Sequence, residues 1–276
     1  MTKPYELINA DCLDWLKAQP DDSVDLVFCS PPYEDARLYG IDFRLKGQQW
    51  VDWCFARYVE CVRVCRGLVA WVVEGRTRNF QWSATPALLK ADLHRAGIRL
   101  RHPCAFHRHG ISGSGGPDYL RNDFELVVTA SKGRLPWSDN TAMGWPCKYK
   151  TGGAMSYRTQ DGRRRNHKTG KRLLGNNGRP EITNPGNVIR GNVGKGHMGS
   201  DLAHETEAPF PEWLAEFFVR SFCPPYGITL DPFCGSGTTC VVAQGWGRRS
   251  VGIDCRESQI ELSAKRMREC FVFQEN

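Results

Sequence analysis

Ser30-Pro31-Pro32-Tyr33 follows the apolar run Val24–Cys29 and puts a hydroxyl, two prolines and a ring at the mouth of a strand. Proline fixes φ and has no N–H to give, so Pro31 and Pro32 end the sheet ladder and stiffen the turn. What the turn holds out is a hydroxyl, a carbonyl with a free lone pair and an aromatic ring. Such a set suits a flat, polar ligand.

A second constellation lies near the other end of the chain. Leu230–Cys240 reads LDPFCGSGTTC: a strand ending at Asp231, glycines at 235 and 237 that let backbone approach a ligand, and a helix opening at Thr238 or Thr239. This is a nucleotide-cofactor turn of a doubly wound fold. Asp254 ends the next strand, in VGIDCRE, where a carboxylate can accept both ribose hydroxyls of a cofactor. The turn is not G-x-G-x-x-G, and Asp231 and Phe233 stand just before it. An acid there repels a pyrophosphate and opposes a dinucleotide dehydrogenase. It suits a cofactor bearing an ammonium and a sulfonium, such as S-adenosylmethionine. A turn or N-cap carboxylate is the other reading of Asp231.

The elements that must position these groups alternate. YELIN, VDLVFCS and the continuous apolar run LVAWVVEG predict strands, the last as buried as a parallel sheet requires. Helices are predicted over Cys12 to Gln19, over Gln49 to Arg66 with Gly67 as its breaker, and over TPALLKADLHRAG, opened by Thr85-Pro86 and stopped by Gly97. IRLRHPCAF and FELVVTA add two strand candidates. From Lys132 to Ser200 periodicity is lost in a stretch rich in Gly, Asn, Arg and Lys. PFPEWLAEFFVRSF then predicts an amphipathic helix, followed by strand GITLD, helix GTTCVVAQGWG, strand RSVGID and helix RESQIELSAKRMREC. Alternation on both sides of one insertion predicts a single α/β, doubly wound domain with a mainly parallel sheet.

With SPPY ahead of DPFCGSGTT, the chain resembles the β group of DNA amino-methyltransferases over nearly its whole length. The resemblance implies a Rossmann-like methyltransferase fold, S-adenosyl-L-methionine as cofactor, and methyl transfer to cytosine N4 or adenine N6. It makes residues 1–131 the catalytic part, 132–200 a basic, loop-rich target-recognition insertion, and 201–276 the cofactor-binding part. Ser30, Pro31, Pro32 and Tyr33 become catalytic: the Ser30 hydroxyl and Pro31 carbonyl accept hydrogen bonds from the substrate NH₂, and Tyr33 stacks on the extruded base. Asp11 and Cys12 of NADCLDWL, Phe210 of HETEAPFPEWL, and Asp231, Phe233, Gly235, Ser236, Gly237, Thr238 and Asp254 become cofactor contacts. Serine rather than aspartate at position 30 favours cytosine N4 by family habit, with adenine N6 the alternative.

Charge supports a polyanion partner. The net +7 is unevenly spread: Cys147–Ser200 holds 12 Lys/Arg against Asp161 and Glu181, so the rest of the chain is mildly acidic. Arg163, Arg164, Arg165, Lys168, Lys171 and Arg172 are the expected DNA contacts, with a solvated loop as the bland reading. No apolar stretch reaches membrane-spanning length, and the start of the chain lacks a signal-like apolar region, so a cytoplasmic location and no membrane partner are expected. The resemblance admits a cognate restriction enzyme as partner, and a monomer or homodimer. The 12 cysteines include no C-x-x-C pair, so buried thiols are expected and no metal site. Pro103-Cys104 and Pro146-Cys147 offer the dipeptide of a C5-cytosine thiolate, but neither keeps the company such a nucleophile needs. A cofactor-dead, DNA-binding relative would show erosion at one of the two motifs, and neither is eroded.

Overall fold

The computed structural model describes residues 4–34, 43–109, 115–147, 156–158, 160–161, 164–166, 181–194 and 196–271. Its centre is an eight-stranded sheet in the order β1-β12-β11-β2-β3-β7-β6-β10. The strands are β1 (Tyr5–Asn9), β2 (Val24–Cys29), β3 (Cys65–Val73), β6 (Cys104–His109), β7 (Phe124–Ala130), β10 (Val188–Asn192), β11 (Ile228–Asp231) and β12 (Arg249–Asp254). All neighbouring pairs from β1 to β3 are parallel; β7 alone runs against its neighbours β3 and β6, and β10 is parallel to β6. Two short hairpins lie outside the sheet, β4 (Thr77–Arg78) with β5 (Gln81–Trp82), and β8 (Ser156–Arg158) with β9 (Arg164–Asn166).

Alternation along the buried strands sorts side chains to two cores. Val27, Cys29, Val69, Trp71 and Val73 face one side, where they meet Leu16, Trp50, Cys54, Tyr58, Cys61, Leu89 and Leu93 of α1 (Cys12–Ala18), α2 (Gly47–Val64) and α3 (Thr85–Arg95). Leu26, Phe28, Leu68, Ala70 and Val72 face the other, against Leu214, Phe218 and Val219 of α4 (Glu212–Phe222) and Val242 of α5 (Thr238–Gly245). The closing helix α6 (Glu257–Phe271) packs Met267 beside Cys240 and Val241. This is the doubly wound α/β domain expected, with a mainly parallel sheet.

Two local expectations fail for physical reasons. Gly67 does not stop α2, which gives way to β3 at Cys65. Gly67 lies inside β3, where a Cβ would stand 1.9 Å from the Asp25 carbonyl oxygen, so glycine is required by strand contact rather than by a helix end. Val188–Asn192, within the stretch without periodicity, forms the edge strand β10. It sends only Ile189 into the core, so it has no alternating pattern to read.

Candidate active site

Loops at the carboxyl ends of the parallel strands converge as an open α/β sheet requires. Ser30, after β2, and Gly235, after β11, line one cleft although they are distant in sequence. This first cleft holds about 120 Å³ and also takes in Asp11, Cys12, Phe43, Trp53, Glu207, Phe233, Asp254 and Arg256. A second, of about 250 Å³, is walled by Phe106, Arg108, Glu125, Met198 and His204. Ser30, Tyr33 and Ala208–Phe210 line both. A group passed from one cleft to the other crosses at the Ser-Pro-Pro-Tyr turn.

That turn is held from several directions. The Trp50 indole donates to the Pro32 carbonyl at 2.8 Å. Buried Glu34 accepts from the Gly47 amide and the Thr85 hydroxyl, both at 3.0 Å, and from the Arg76 amide at 3.4 Å. Glu34 thus braces the turn through backbone and hydroxyl donors from α2, α3 and the segment after β3. The Ser30 hydroxyl lies 3.2 Å from both the Val72 carbonyl and the Tyr33 oxygen. Its one proton can go to either of them, which leaves lone pairs on the Ser30 oxygen to accept from an incoming donor. Among the described residues no donor takes the Pro31 carbonyl. Two acceptors therefore meet at the junction of the clefts.

The second cleft carries charge in a fixed order. Tyr33 donates to Glu125 Oε2 at 2.7 Å, and Arg108 Nη1 lies 2.8 Å from Glu125 Oε1. Arg108 Nε is buried and has no acceptor among the described residues. Arg108 and Glu125 sit on adjacent antiparallel strands, β6 and β7, and no motif announced them.

The first cleft has an aromatic wall and an acidic rim. Trp53 stacks obliquely on Phe233 at 5.6 Å and meets Phe43 edge-on at 5.1 Å, with the Arg57 guanidinium 3.8 Å from its ring centre. Asp11 caps α1 through the Leu13 amide at 2.7 Å and binds Arg57 at 2.9 Å. Cys12 beside it is a buried thiol, pushed up to about 12 by burial. Asp254 accepts from the Gly235 amide at 3.1 Å and from the Arg256 amide and Nε at 3.0 and 3.2 Å. A carboxylate has about four acceptor positions, so one remains, not the two that paired ribose hydroxyls would fill.

The glycine turn divides between lining and bracing. Gly235, Ser236, Thr238 and Phe233 line the cleft; Asp231 and Gly237 do not. Asp231 is fully buried, accepting from the Thr239 hydroxyl at 2.6 Å and the Phe233 amide at 3.0 Å. Burial pushes its carboxyl up to about 7, opposed by those two hydrogen bonds. The turn-carboxylate reading describes it, and the cofactor-facing one does not. Gly237, at φ +77°, precedes α5, and a Cβ there would stand 2.9 Å from Ser263 Oγ. Its lack of a side chain serves packing against α6. Arg266 of that helix is fully buried and donates to the Ser236 carbonyl at 3.3 Å, to Thr238 Oγ1 at 2.8 Å and to Glu212 at 2.6 Å.

Other expectations fall elsewhere. Cys104 and Cys147 line neither cleft, and the Cys104 thiol is pushed up to about 11 by burial. Arg164 and Arg165 belong to β9, whose side chains lie outside the described structure; Arg163, Lys168, Lys171 and Arg172 lie outside the described residues. No helix among the described residues is long and apolar enough to cross a membrane.

Comparison with known proteins agrees with this geometry. A family profile described as DNA methylase matches residues 24–265. The chain is 28% identical over 262 residues to the orphan methyltransferase M.BamHII of Bacillus amyloliquefaciens, covering 91% of each. It is 25% identical over 265 residues to the DNA adenine methyltransferase YhdJ of Escherichia coli K12, covering 95% of this chain and 82% of that one. Among solved structures, the cytosine-N4-specific PvuII DNA methyltransferase superposes with a TM-score of 0.68 at 17% identity, over 98% of this chain and 93% of the other.

Proposed function

The chain belongs to the N6/N4 DNA methylase family, and from that premise we propose that it transfers a methyl group from S-adenosylmethionine to cytosine N4 in a base turned out of the duplex. The observation that carries the choice of base is the order of donors and acceptors in the second cleft. Ser30, on the wall the two clefts share, and Pro31, on the first-cleft side of the same turn, accept from an amino group. Arg108, linked to Ser30 through Tyr33 and Glu125, keeps N–H groups beyond those on Glu125 and Asn122 farther along the wall. Cytosine presents an amino donor followed by two acceptors, N3 and O2. Adenine follows its amino group with one acceptor and then a C–H. A flipped base is read along this edge.

The first cleft fits the methyl donor. Phe43, Trp53 and Phe233 would hold an adenine ring with Asp11 at that end of the cleft, the open position on Asp254 one ribose hydroxyl, and the acidic side chain of Glu207 the cationic end. Bound there, S-adenosylmethionine supplies an electrophilic methyl on a sulfonium. The chain's own part is to draw the amine lone pair out of ring conjugation through Ser30 and Pro31 and to aim it across the junction. No proton need leave before attack and no covalent enzyme adduct forms. The basic segment 147–200 supplies phosphate contacts, with binding that weakens as salt rises.

Incubation with labelled S-adenosylmethionine and DNA, followed by digestion to nucleosides and mass spectrometry, tests this reading. N4-methylcytosine is the expected product. N6-methyladenine would refute the base choice while keeping the amine chemistry, and 5-methylcytosine would overturn both.

A further inference from the structure

Between β3 and α3 the chain makes a two-residue hairpin, with Thr77 opposite Trp82 and Arg78 opposite Gln81. Asn79 and Phe80 form its tip, both left-handed at φ +47° and +63°. A hairpin loop with positive φ at both positions calls for Asn-Gly. Asparagine stands in its place, but phenylalanine occupies the glycine position, where a bulky side chain is strained. The ring gains little burial in return: Phe80 is 68% exposed. Strain at an exposed aromatic points to a use outside the fold.

The hairpin's surroundings say what use. β3 runs parallel to β2, so the hairpin rises from the same sheet end as the Ser-Pro-Pro-Tyr turn. Glu34, directly after Tyr33, accepts from the Arg76 amide and the Thr85 hydroxyl and so ties both ends of the hairpin to that turn. Trp82 donates to Glu74 at 3.2 Å, and the Ser83 amide to the Arg76 carbonyl at 2.9 Å. The tip is thus carried on a stiff base. Phe80 meets Tyr119 edge-on at 6.5 Å, and the neighbouring Leu120 is 93% exposed. Arg78, two residues before Phe80, and Arg121, next to Leu120, are exposed beside this apolar tip, with Asp118 the exposed acid nearest Tyr119 in sequence.

We propose that the hairpin is a duplex-opening wedge: Phe80 enters the base stack beside the target and fills the space its base vacates, while the flanking arginines lie along phosphates. Apolar side chains that part base steps, backed by cations on the backbone, are how proteins distort a duplex. The occupant is double-stranded DNA, because the tip stands on the catalytic end of the sheet and carries charge opposite to phosphate. The inference rests on DNA methylation by this chain but not on which base is methylated.

Phe80→Gly gives the turn the residue its φ prefers and removes only the wedge. The site methylated by the wild-type protein is mapped on plasmid DNA and rebuilt as two duplexes, one fully paired and one mismatched opposite the target base. Expected are an unchanged or raised Tm and a loss of methylation on the paired duplex on the order of 10- to 100-fold, with near wild-type rates on the mismatched one, which costs less to open. Phe80→Trp retains activity on both. Equal loss on the two duplexes, or no loss on either, overturns the wedge. So does a change from dimer to monomer in sedimentation with both duplexes equally affected, since the tip would then be a contact between copies.

Discussion

The two clefts that share Ser30 and Tyr33 are built on different plans. The first is assembled from loops at the ends of adjacent parallel strands, and most of its polar atoms are already engaged: Asp254 by Gly235 and Arg256, Asp11 by Leu13 and Arg57, Ser236 and Thr238 by Arg266. The second is made where the sheet turns antiparallel, and it keeps acceptors at Ser30 and a buried donor at Arg108 Nε without a described partner. A site whose hydrogen bonds are internally closed fixes shape. A site that leaves some open fixes what may enter, because an unpaired buried polar group selects a ligand that satisfies it. Damage to the first cleft should therefore register as lost binding or stability, and damage to the second as lost chemistry.

The sharpest test crosses one change in each. Ser30→Ala should lower kcat by about 10²–10³-fold, the scale of removing one preorganised transition-state hydrogen bond, while calorimetry with S-adenosylhomocysteine finds its affinity unchanged. Asp254→Ala should weaken that affinity by about 1–3 kcal/mol and spare kcat at saturating cofactor. If the two variants exchanged these effects, the division between the clefts would be reversed.

The division also explains what the sequence disclosed. The first cleft is written in contiguous pieces, since a tight turn after a buried strand needs Gly, Pro or Asp at set places. DPFCGSGTT, SPPY and Asp254 stood out as contiguous motifs, and the four elements that carry them, β2, β11, α5 and β12, formed close to where the sequence pattern put them. Arg108 and Glu125 stand on different strands with no motif around either, and only strand pairing makes them neighbours. Trp50, Trp53 and Arg266 were hidden in helices whose pattern reports burial but not what the buried atom touches. Asp231 was seen and given the wrong face: an acid before a glycine turn reads alike whether it points at the ligand or into the turn. The Phe80 hairpin gave no signal because its tip breaks the Asn-Gly rule by which such turns are recognised.

Arg266→Met probes the closed character of the first cleft through stability. The guanidinium is fully buried, and its loss leaves Glu212, the Ser236 carbonyl and Thr238 without their donor. Breaking such a pair should cost about 2–3 kcal/mol, at or below the low end for buried ion pairs because Glu212 keeps some solvent. Chemical denaturation measures it. A variant as stable as the wild type would mean that the turn holds its shape without α6, and the clefts would then differ less than their hydrogen bonds imply.

The smallest effect separates a brace from a ligand contact, and it concerns Asp231. Burial raises its carboxyl from 3.8 to about 7, with the charge of Asp254 adding to the rise and the bonds from Thr239 and Phe233 opposing it. Between those values the folded chain holds a proton that the unfolded chain has released. Stability contributed at low pH is therefore lost as pH rises through about 4 to 7. Asp231→Asn carries no charge at either end of that range, keeps an acceptor for the Phe233 amide and can offer its NH₂ to the Thr239 oxygen. Thermal melts at pH 5 and pH 8 should show the variant gaining on the wild type as pH rises, by roughly 1–3 kcal/mol or several degrees. Other titrating groups are common to both chains and cancel. Because the carboxylate faces the turn and not the cleft, affinity for S-adenosylhomocysteine should hardly move. Parallel pH profiles would show an ordinary carboxylate at position 231, and a large loss of cofactor affinity would return Asp231 to the cleft, where its place in the sequence first suggested it.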